Sequence, residues 1–373
     1  MSETQAFRLR IHHVVVVLAV LVFGWRMFDY FVPGIVGSEE HGYLTTAKRL
    51  ATTGSVTLRQ EDPYAFVGET MMQAEGGTGE MYCLRGGWRT MGYSWLCAAA
   101  YFVGGPMGPF VVNPICAVAV IIGVYVLGRL LKKERGGWGG LVGAIVAMGV
   151  AVCPLFLYYA VRPLPQMAHL AVGVWMMVAA MAWRRDRKVD RAIVVRAVFG
   201  GVGAVVAVAA AGAMVWGHWD AISTEQLERV HRTGRGMMEA GKIVQSKASA
   251  GAVILADNQS EYFLDYVGRY TIYSAAMFEP ERIAQRVSDL ARDPHAFDPA
   301  RTREIKGLVG GKTVEELDAI LRQRLRGYLS VGRPVFVFGT QEQASRWKER
   351  LKMPMEKVAG SGGLVMYEVE AGN

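Results

Sequence analysis

Apolar and polar residues are arranged along this chain in two textures. Up to Gly217 the apolar residues come in long unbroken runs, and from Trp219 they alternate with polar ones every few residues. A helix that spans a bilayer needs about 20 consecutive apolar residues. Five runs reach that length: Ile11 to Val36, Phe110 to Gly128, Trp138 to Val161, Pro163 to Trp183 and Ala197 to Gly217. The first carries only Arg26 and Asp29, three apart and so on one helix face, able to pair; the other four contain no Asp, Glu, Lys or Arg. Met91 to Gly104 is shorter and ends in Gly104-Gly105-Pro106-Met107-Gly108-Pro109. That pattern predicts an interfacial or re-entrant helix rather than a span. Gly139-x-x-x-Gly143 and Gly200-Gly201-Val202-Gly203 predict faces on which helices approach closely.

Between the first two spans, Ser38 to Gly54 has a helical period. Ser38 is placed to cap it, Glu39 and Glu40 fall in its first turn, Tyr43, Leu44, Ala47, Leu50 and Ala51 form an apolar face, and Gly54 ends it. The expected element is an amphipathic helix lying on the membrane surface. In the tail, β-rich runs at Ala252 to Ala256, Tyr270 to Ser274, Pro334 to Phe338 and Leu364 to Val369 alternate with helical patterns. Those are Thr224 to Gln245, Pro280 to Arg292, Val314 to Leu329 and Gln341 to Leu351. Such alternation predicts a small α/β sandwich with a partly parallel sheet. Thr313-Val314-Glu315-Glu316 reads as a helix start with acids in its first turn. Asp257-Asn258-Gln259-Ser260 follows the first tail strand, where ligand loops sit in such sheets, and also reads as a turn and helix cap.

Composition agrees with the membrane reading: of 373 residues, 52% are hydrophobic and 20% charged, and the mean hydropathy is +0.20. The net charge of +8 invites a nucleic-acid reading until it is located. Residues up to Gly217 hold 19 Lys and Arg against 12 Asp and Glu, the remainder 22 against 21, so the excess sits among the apolar runs. Short cytoplasmic loops collect positive charge, and no nucleic-acid partner is expected. Clusters at Arg8/Arg10, Arg129/Lys132/Lys133/Arg135 and Arg184/Arg185/Arg187/Lys188/Arg191/Arg196 fall on one side of the bilayer if five spans cross and Met91 to Gly104 does not. The N-terminus is then inside, as an uncleaved signal anchor, and the loop 37–90 and the tail are outside. Cys83, Cys97, Cys116 and Cys153 have no metal-ligand spacing. No G-x-G-x-x-G or Walker loop is present, and neither a metal site nor a cofactor is expected.

The order of parts carries the chemistry. One span is followed by the acidic pair Glu39-Glu40 with Tyr43 on the next turn, then a loop ending in Arg89-Thr90-Met91-Gly92-Tyr93, a short helix and Gly128-Arg129-Leu130-Leu131. Cys153-Pro154-Leu155-Phe156 and Arg162-Pro163-Leu164-Pro165-Gln166 come after. This order resembles the GT-C membrane glycosyltransferases of the family 39 type, which includes protein O-mannosyltransferases and lipid A aminoarabinose transferases. Those enzymes show an Asp-Glu pair with a Tyr close behind, a Pro-Pro-Gly-Tyr-like start to a juxtamembrane helix, a Gly-Arg-Arg turn, a Ser-Pro-Leu-Phe run and a Leu-Pro-Asp motif. The resemblance covers Ile11 to Trp183, about half of the chain.

The resemblance implies a GT-C-like helical membrane domain over 1–217, of about five transmembrane helices plus juxtamembrane helices, and the tail pattern with the basic clusters adds an extracytoplasmic α/β domain over 218–373. The resemblance also implies a sugar carried on polyprenyl phosphate as donor, an extracytoplasmic acceptor, and a bacterial cytoplasmic membrane. Glu39 takes the position of the catalytic base and Glu40 that of its neighbour. Tyr43, Tyr93 and Gln166 fall at substrate-binding positions, and Arg85, Arg89 and Arg162 are the external arginines for the lipid phosphate. Glu39 stands where members have Asp, Gln166 where an acid follows Leu-Pro, and members have further helices after the fourth span. A shortened relative calls for a membrane partner subunit to complete the cavity. The alternative is a non-catalytic scaffold that presents the tail to a partner.

Overall fold

The computed structural model describes residues 3–59, 62–68, 71–73, 81–84, 91–131, 139–186, 225–256, 260–292 and 306–370. In chain order the first helices are α1 (Glu3–Tyr30), α2 (Ser38–Thr53), α3 (Met91–Gly104), α4 (Val112–Leu131), α5 (Gly139–Val152), α6 (Pro154–Val161) and α7 (Pro165–Asp186). Then come α8 (225–245), α9 (Ser260–Val267), α10 (Pro280–Arg292), α11 (306–309), α12 (Val314–Ser330) and α13 (Gln341–Leu351). The strands are β1 (Thr57–Arg59), β2 (Met71–Gln73), β3 (Met81–Leu84), β4 (Val253–Ala256), β5 (Thr271–Ser274), β6 (Val335–Thr340), β7 (Met355–Ser361) and β8 (Leu364–Val369). The chain forms two compact units, one of Met1–Val32 with Phe110–Arg232, the other of Pro33–Pro109 with Thr233–Asn373.

The first unit is helical. Among the described residues of the whole chain three stretches are long and apolar enough to cross a membrane, Ile11–Tyr30, Met91–Leu130 and Pro165–Trp183, and α5 with α6 adds a fourth if the pair is one broken span. Of the five expected spans, the run Ala197 to Gly217 lies outside the described residues. The break between α5 and α6 is a bend of 63° at Cys153, whose extended backbone precedes Pro154; proline has no amide to continue the ladder. Arg26 donates to the Val152 carbonyl at 2.7 Å, occupying an acceptor that the end of α5 leaves open. The core holds Phe23, Ile121, Ala144, Ala147, Leu157 and Ala160, whereas Trp25 is 75% exposed and Phe28 86%. An outward apolar stripe of that kind suits lipid rather than water. The Gly139-x-x-x-Gly143 face packs closely, as read from the sequence: a β-carbon on Gly128 of α4 would stand 2.4 Å from Cα of Gly143. Gly200 to Gly203 lie outside the described residues. His169 is exposed on α7.

Met91–Leu130 is 40 residues, twice what a bilayer requires, and is not one element. Gly105, at φ +59, opens a 3-10 turn (Gly105–Val111), and α3 belongs to the second unit while α4 belongs to the first. The short helix expected at Met91 to Gly104 is therefore present as such.

The second unit joins the first loop to the tail, a division other than the expected one at 217/218. Its main sheet has the order β5-β4-β6-β8-β7, with β5, β4 and β6 parallel and β8 and β7 antiparallel. β4 is buried at every position, which is why its sequence is an unbroken apolar run. Leu317, Leu321 and Leu325 of α12 and Trp347 and Leu351 of α13 pack in the same core as Val335 and Val337 of β6. Thr313 caps α12 as read from the sequence, accepting the Glu316 amide while Glu316 accepts its own. The loop adds a three-stranded antiparallel sheet, β1-β3-β2, that periodicity did not predict. Phe66 donates its amide to Ile272 O at 2.7 Å, alongside edge strand β5, and Tyr64 enters the tail core.

Candidate functional site

The loop helix α2 is the element from which the candidate site is built. Gly37, with extended backbone, precedes it, so Ser38 is its first residue and not the cap expected. Glu40 does the capping instead: its Oε2 accepts the amides of Val36 at 2.5 Å and Gly37 at 3.1 Å, the reaching-back half of a capping box. Glu40 is fully buried, while Glu39 one residue earlier is exposed. The acidic pair thus divides into one carboxylate that fixes the chain's approach to the helix and one that faces outward. Gly54 ends the helix in the left-handed region, its amide bonded to Leu50 O at 3.1 Å.

The expected surface-lying helix is corrected by its burial. Every residue from Glu40 to Ala47 is buried, and α2 packs against α3 and α9, so protein and not lipid covers its apolar face. Tyr43 meets Tyr93 of α3 edge to face, centroids 5.4 Å apart, and Ser94 Oγ donates to Tyr43 O at 3.4 Å. These two tyrosines are brought together, as rings that hold α2 to α3.

On the side toward α9, positions 41, 45 and 48 form one stripe of α2. His41 Nε2 donates to Asp265 Oδ2 at 2.8 Å and lies 3.1 Å from Thr45 Oγ1. The imidazole is fully buried, with Phe66 and Tyr262 against it at 5.3 and 5.4 Å. Lys48 Nζ donates to the carbonyls of Asp265 at 2.7 Å and Gly268 at 2.6 Å, acceptors left open at the end of α9. Burial lowers the Lys48 ammonium below its ordinary value, against the opposing pull of Asp265. Burial would raise the Asp265 carboxyl, but the His41 hydrogen bond and the charges of His41, Lys48 and Arg49 together hold it below the usual carboxylate range. Sequence reasoning singled out neither His41 nor Asp265. The stripe His41, Thr45, Lys48 is legible as helical spacing, but no local signal points to an aspartate 224 positions on.

A second polar cluster ties the loop to the tail. Asp62 Oδ1 accepts the Tyr64 amide at 2.9 Å, and Oδ2 accepts the hydroxyls of Tyr273 and, at 3.2 Å, Tyr328. Arg324 Nη1 stands 3.6 Å from the same oxygen.

The remaining predicted residues divide between the other unit and the residues not described. Arg85 and Arg89 lie outside the described residues. Arg162, half-buried at the end of α6, donates to the Tyr158 hydroxyl, its guanidinium 5.0 Å from that ring. The turn it occupies is held by Asn113, whose Nδ2 donates to the carbonyls of Arg162 and, at 2.7 Å, Leu164. Gln166 is exposed in the first turn of α7. Glu39, Glu40, Tyr43 and Tyr93 belong to the second unit, Arg162 and Gln166 to the first. Asp257 to Gln259 are not described, and Ser260 opens α9. Among the described residues no group of three or more His, Cys, Asp or Glu is placed to hold a metal ion. Chemically, the described part of the loop offers an exposed carboxylate, Glu39, on a helix that packs against α3 and α9, and beside it a buried histidine paired with half-buried Asp265. No protein family, curated protein or solved structure matches the chain.

Proposed function

We propose that this protein is a membrane glycosyltransferase that moves a sugar from a polyprenyl-phosphate donor to an extracytoplasmic acceptor, with Glu39 as general base. The observation that carries this reading is the division of labour at the start of α2. Glu39 faces outward while its neighbour Glu40 is buried and bonded to Val36 and Gly37, a few residues after the membrane-length stretch Ile11–Tyr30. The resemblance to the GT-C enzymes assigns the base to that same position.

In the step proposed, the Glu39 carboxylate takes the proton of an acceptor hydroxyl as its oxygen bonds to the anomeric carbon. The bond from that carbon to the lipid phosphate breaks, and its electron pair stays on the phosphate oxygen. Arg85 and Arg89, on the same loop as Glu39, are the cations proposed to stabilise that leaving group. With α1, α4, the α5–α6 pair and α7 each crossing, the basic clusters around Arg8, Arg129 and Arg184 share the cytoplasmic side, which puts the loop and Glu39 outside. The second reading is a non-catalytic scaffold, favoured by how much of the polar chemistry near α2 is closed off in ties between loop and tail.

Transfer of radiolabelled sugar from a panel of polyprenyl-phosphate donors, with the protein in nanodiscs, separates the two. Turnover in the native chain that disappears with Glu39→Gln supports the transferase. Turnover that survives Glu39→Gln removes the base assignment, and no turnover with any donor in folded protein favours the scaffold.

A further inference from the structure

The tail grips α2 two residues from the proposed base. Asp265, in the last turn of α9, meets α2 twice: its carboxylate receives His41 at 2.8 Å and its carbonyl receives Lys48 at 2.7 Å. The donors are seven positions apart, two helical turns and about 10 Å along the axis. A helix held at one point can turn or slide about it, whereas one held at two points on the same stripe can do neither. The grip is well enclosed. His41 is fully buried between Phe66 and Tyr262, and Asp265 is 18% exposed.

An isolated helix of 16 residues is marginally stable in water, so the orientation of α2 depends on what it packs against. Each residue advances about 100° around a helix of 3.6 residues per turn. A slip of a single position at His41 therefore redirects Glu39 away from its present heading. Catalysis by a positioned carboxylate does not tolerate that, since displacements of about 1 Å cost up to a hundredfold.

We propose that Asp265 is a positioning residue, which by receiving His41 on its side chain and Lys48 on its main chain fixes the rotation and axial position of α2 and hence the heading of Glu39. The catalytic part of this rests on the glycosyltransferase reading; the attachment of α2 does not. It gives the α/β tail a role within the reaction unit, as the clamp that aims the loop.

The test uses the full chain in lipid nanodiscs and compares the native protein with Asp265→Ala, which removes the acceptor for His41, and Leu321→Ala. The second variant opens a cavity in the tail core and serves as the structural control. Amide exchange over residues 38–53 is measured by mass spectrometry alongside transfer kinetics. Asp265→Ala is expected to speed exchange in that segment by about tenfold while β4 and β6 stay protected. It is also expected to lower kcat by about a hundredfold with the donor KM little changed. Leu321→Ala is expected to lower the unfolding temperature while leaving both readouts near native. Unchanged exchange in Asp265→Ala would overturn the attachment, and an equal loss of kcat in both variants would overturn the positioning role. If the native chain transfers no sugar at all, the glycosyltransferase reading fails, and the exchange result still decides whether Asp265 holds α2.

Discussion

The hydroxyl of Tyr273 donates a hydrogen bond to the carboxylate of Asp62, joining positions 211 residues apart. Asp62 belongs to the first loop and Tyr273 to the second strand of the tail sheet, and both are buried. With Tyr64 in the tail core and Phe66 bonded beside β5, this contact makes loop and tail one folding unit.

Removing the Tyr273 hydroxyl leaves the buried Asp62 carboxylate short of a donor. Tyr273→Phe is expected to cost about 2 kcal/mol, and Tyr328→Phe, at a longer and more exposed contact, about 1 kcal/mol. Denaturant unfolding of the full chain in detergent, followed by tail fluorescence, measures both. A Tyr273→Phe variant as stable as the native chain would show that the contact contributes nothing net.

The same tyrosine sets an alkaline limit. Burial first, then the hydrogen bonds to Asp62 and Tyr328, push its phenol well above the ordinary value. Because the folded value is raised, the stabilisation is complete below the unfolded value of about 10 and is lost as pH rises beyond it, since only the unfolded chain ionises there. The unfolding temperature is expected to fall between about pH 10 and 11, and more steeply in the native protein than in Tyr273→Phe. Parallel pH profiles would count against this.

Asp265 sets the opposite limit. Its folded value is depressed, so its contribution is complete above the unfolded value of about 4 and is lost as pH falls through the lower, folded one. Thermal unfolding below about pH 4 is expected to be less pH-dependent in Asp265→Asn than in the native chain. An acid limb of unchanged slope would place its cause elsewhere.

Glu39 and Glu40 are expected to separate function from stability. Glu40→Ala removes the acceptor for two amides and should destabilise by about 2 kcal/mol, whereas Glu39→Gln, on an exposed side chain, should change stability by less than about 0.5 kcal/mol while abolishing transfer. Thermal unfolding beside the transfer assay reads both, and a destabilised Glu39→Gln would undo the division.

Gly128 tests the helix packing of the first unit. Its substitution by leucine drives a side chain into the backbone of Gly143, 2.4 Å from a first β-carbon, where only backbone could give way. Loss of at least about 2 kcal/mol is expected, measured as thermal aggregation in detergent. Wild-type stability would mean that α4 and α5 separate without penalty.

Much of the fold follows from local pattern. The apolar runs became α1, α4, α5 and α7, and the tail strands read at Ala252 to Ala256 and Leu364 to Val369 are β4 and β8 within a residue. α10 and α13 match their sequence patterns end for end. These elements were legible because a helix or strand in a two-sided environment writes its own period into the chain. The loop strands β1, β2 and β3 are three or four residues long, too short to write one. β7, Met355–Ser361, carries mixed polar residues and only its first is buried, so it has no alternation to read.

The site divides along the same line. Sequence alone placed an acidic pair at the start of a helix after a membrane-length run, because helix starts and apolar length are local properties. It could not tell which acid would turn back on the chain and which would face outward. Nor could it show that His41 would meet Asp265, or that the apolar face of α2 would find protein instead of lipid. His41 and Asp265 are more than 200 positions apart, α2 and α3 about 50, and even the short-range choice between Glu39 and Glu40 follows from which side of α2 is buried; only the tertiary structure decides them.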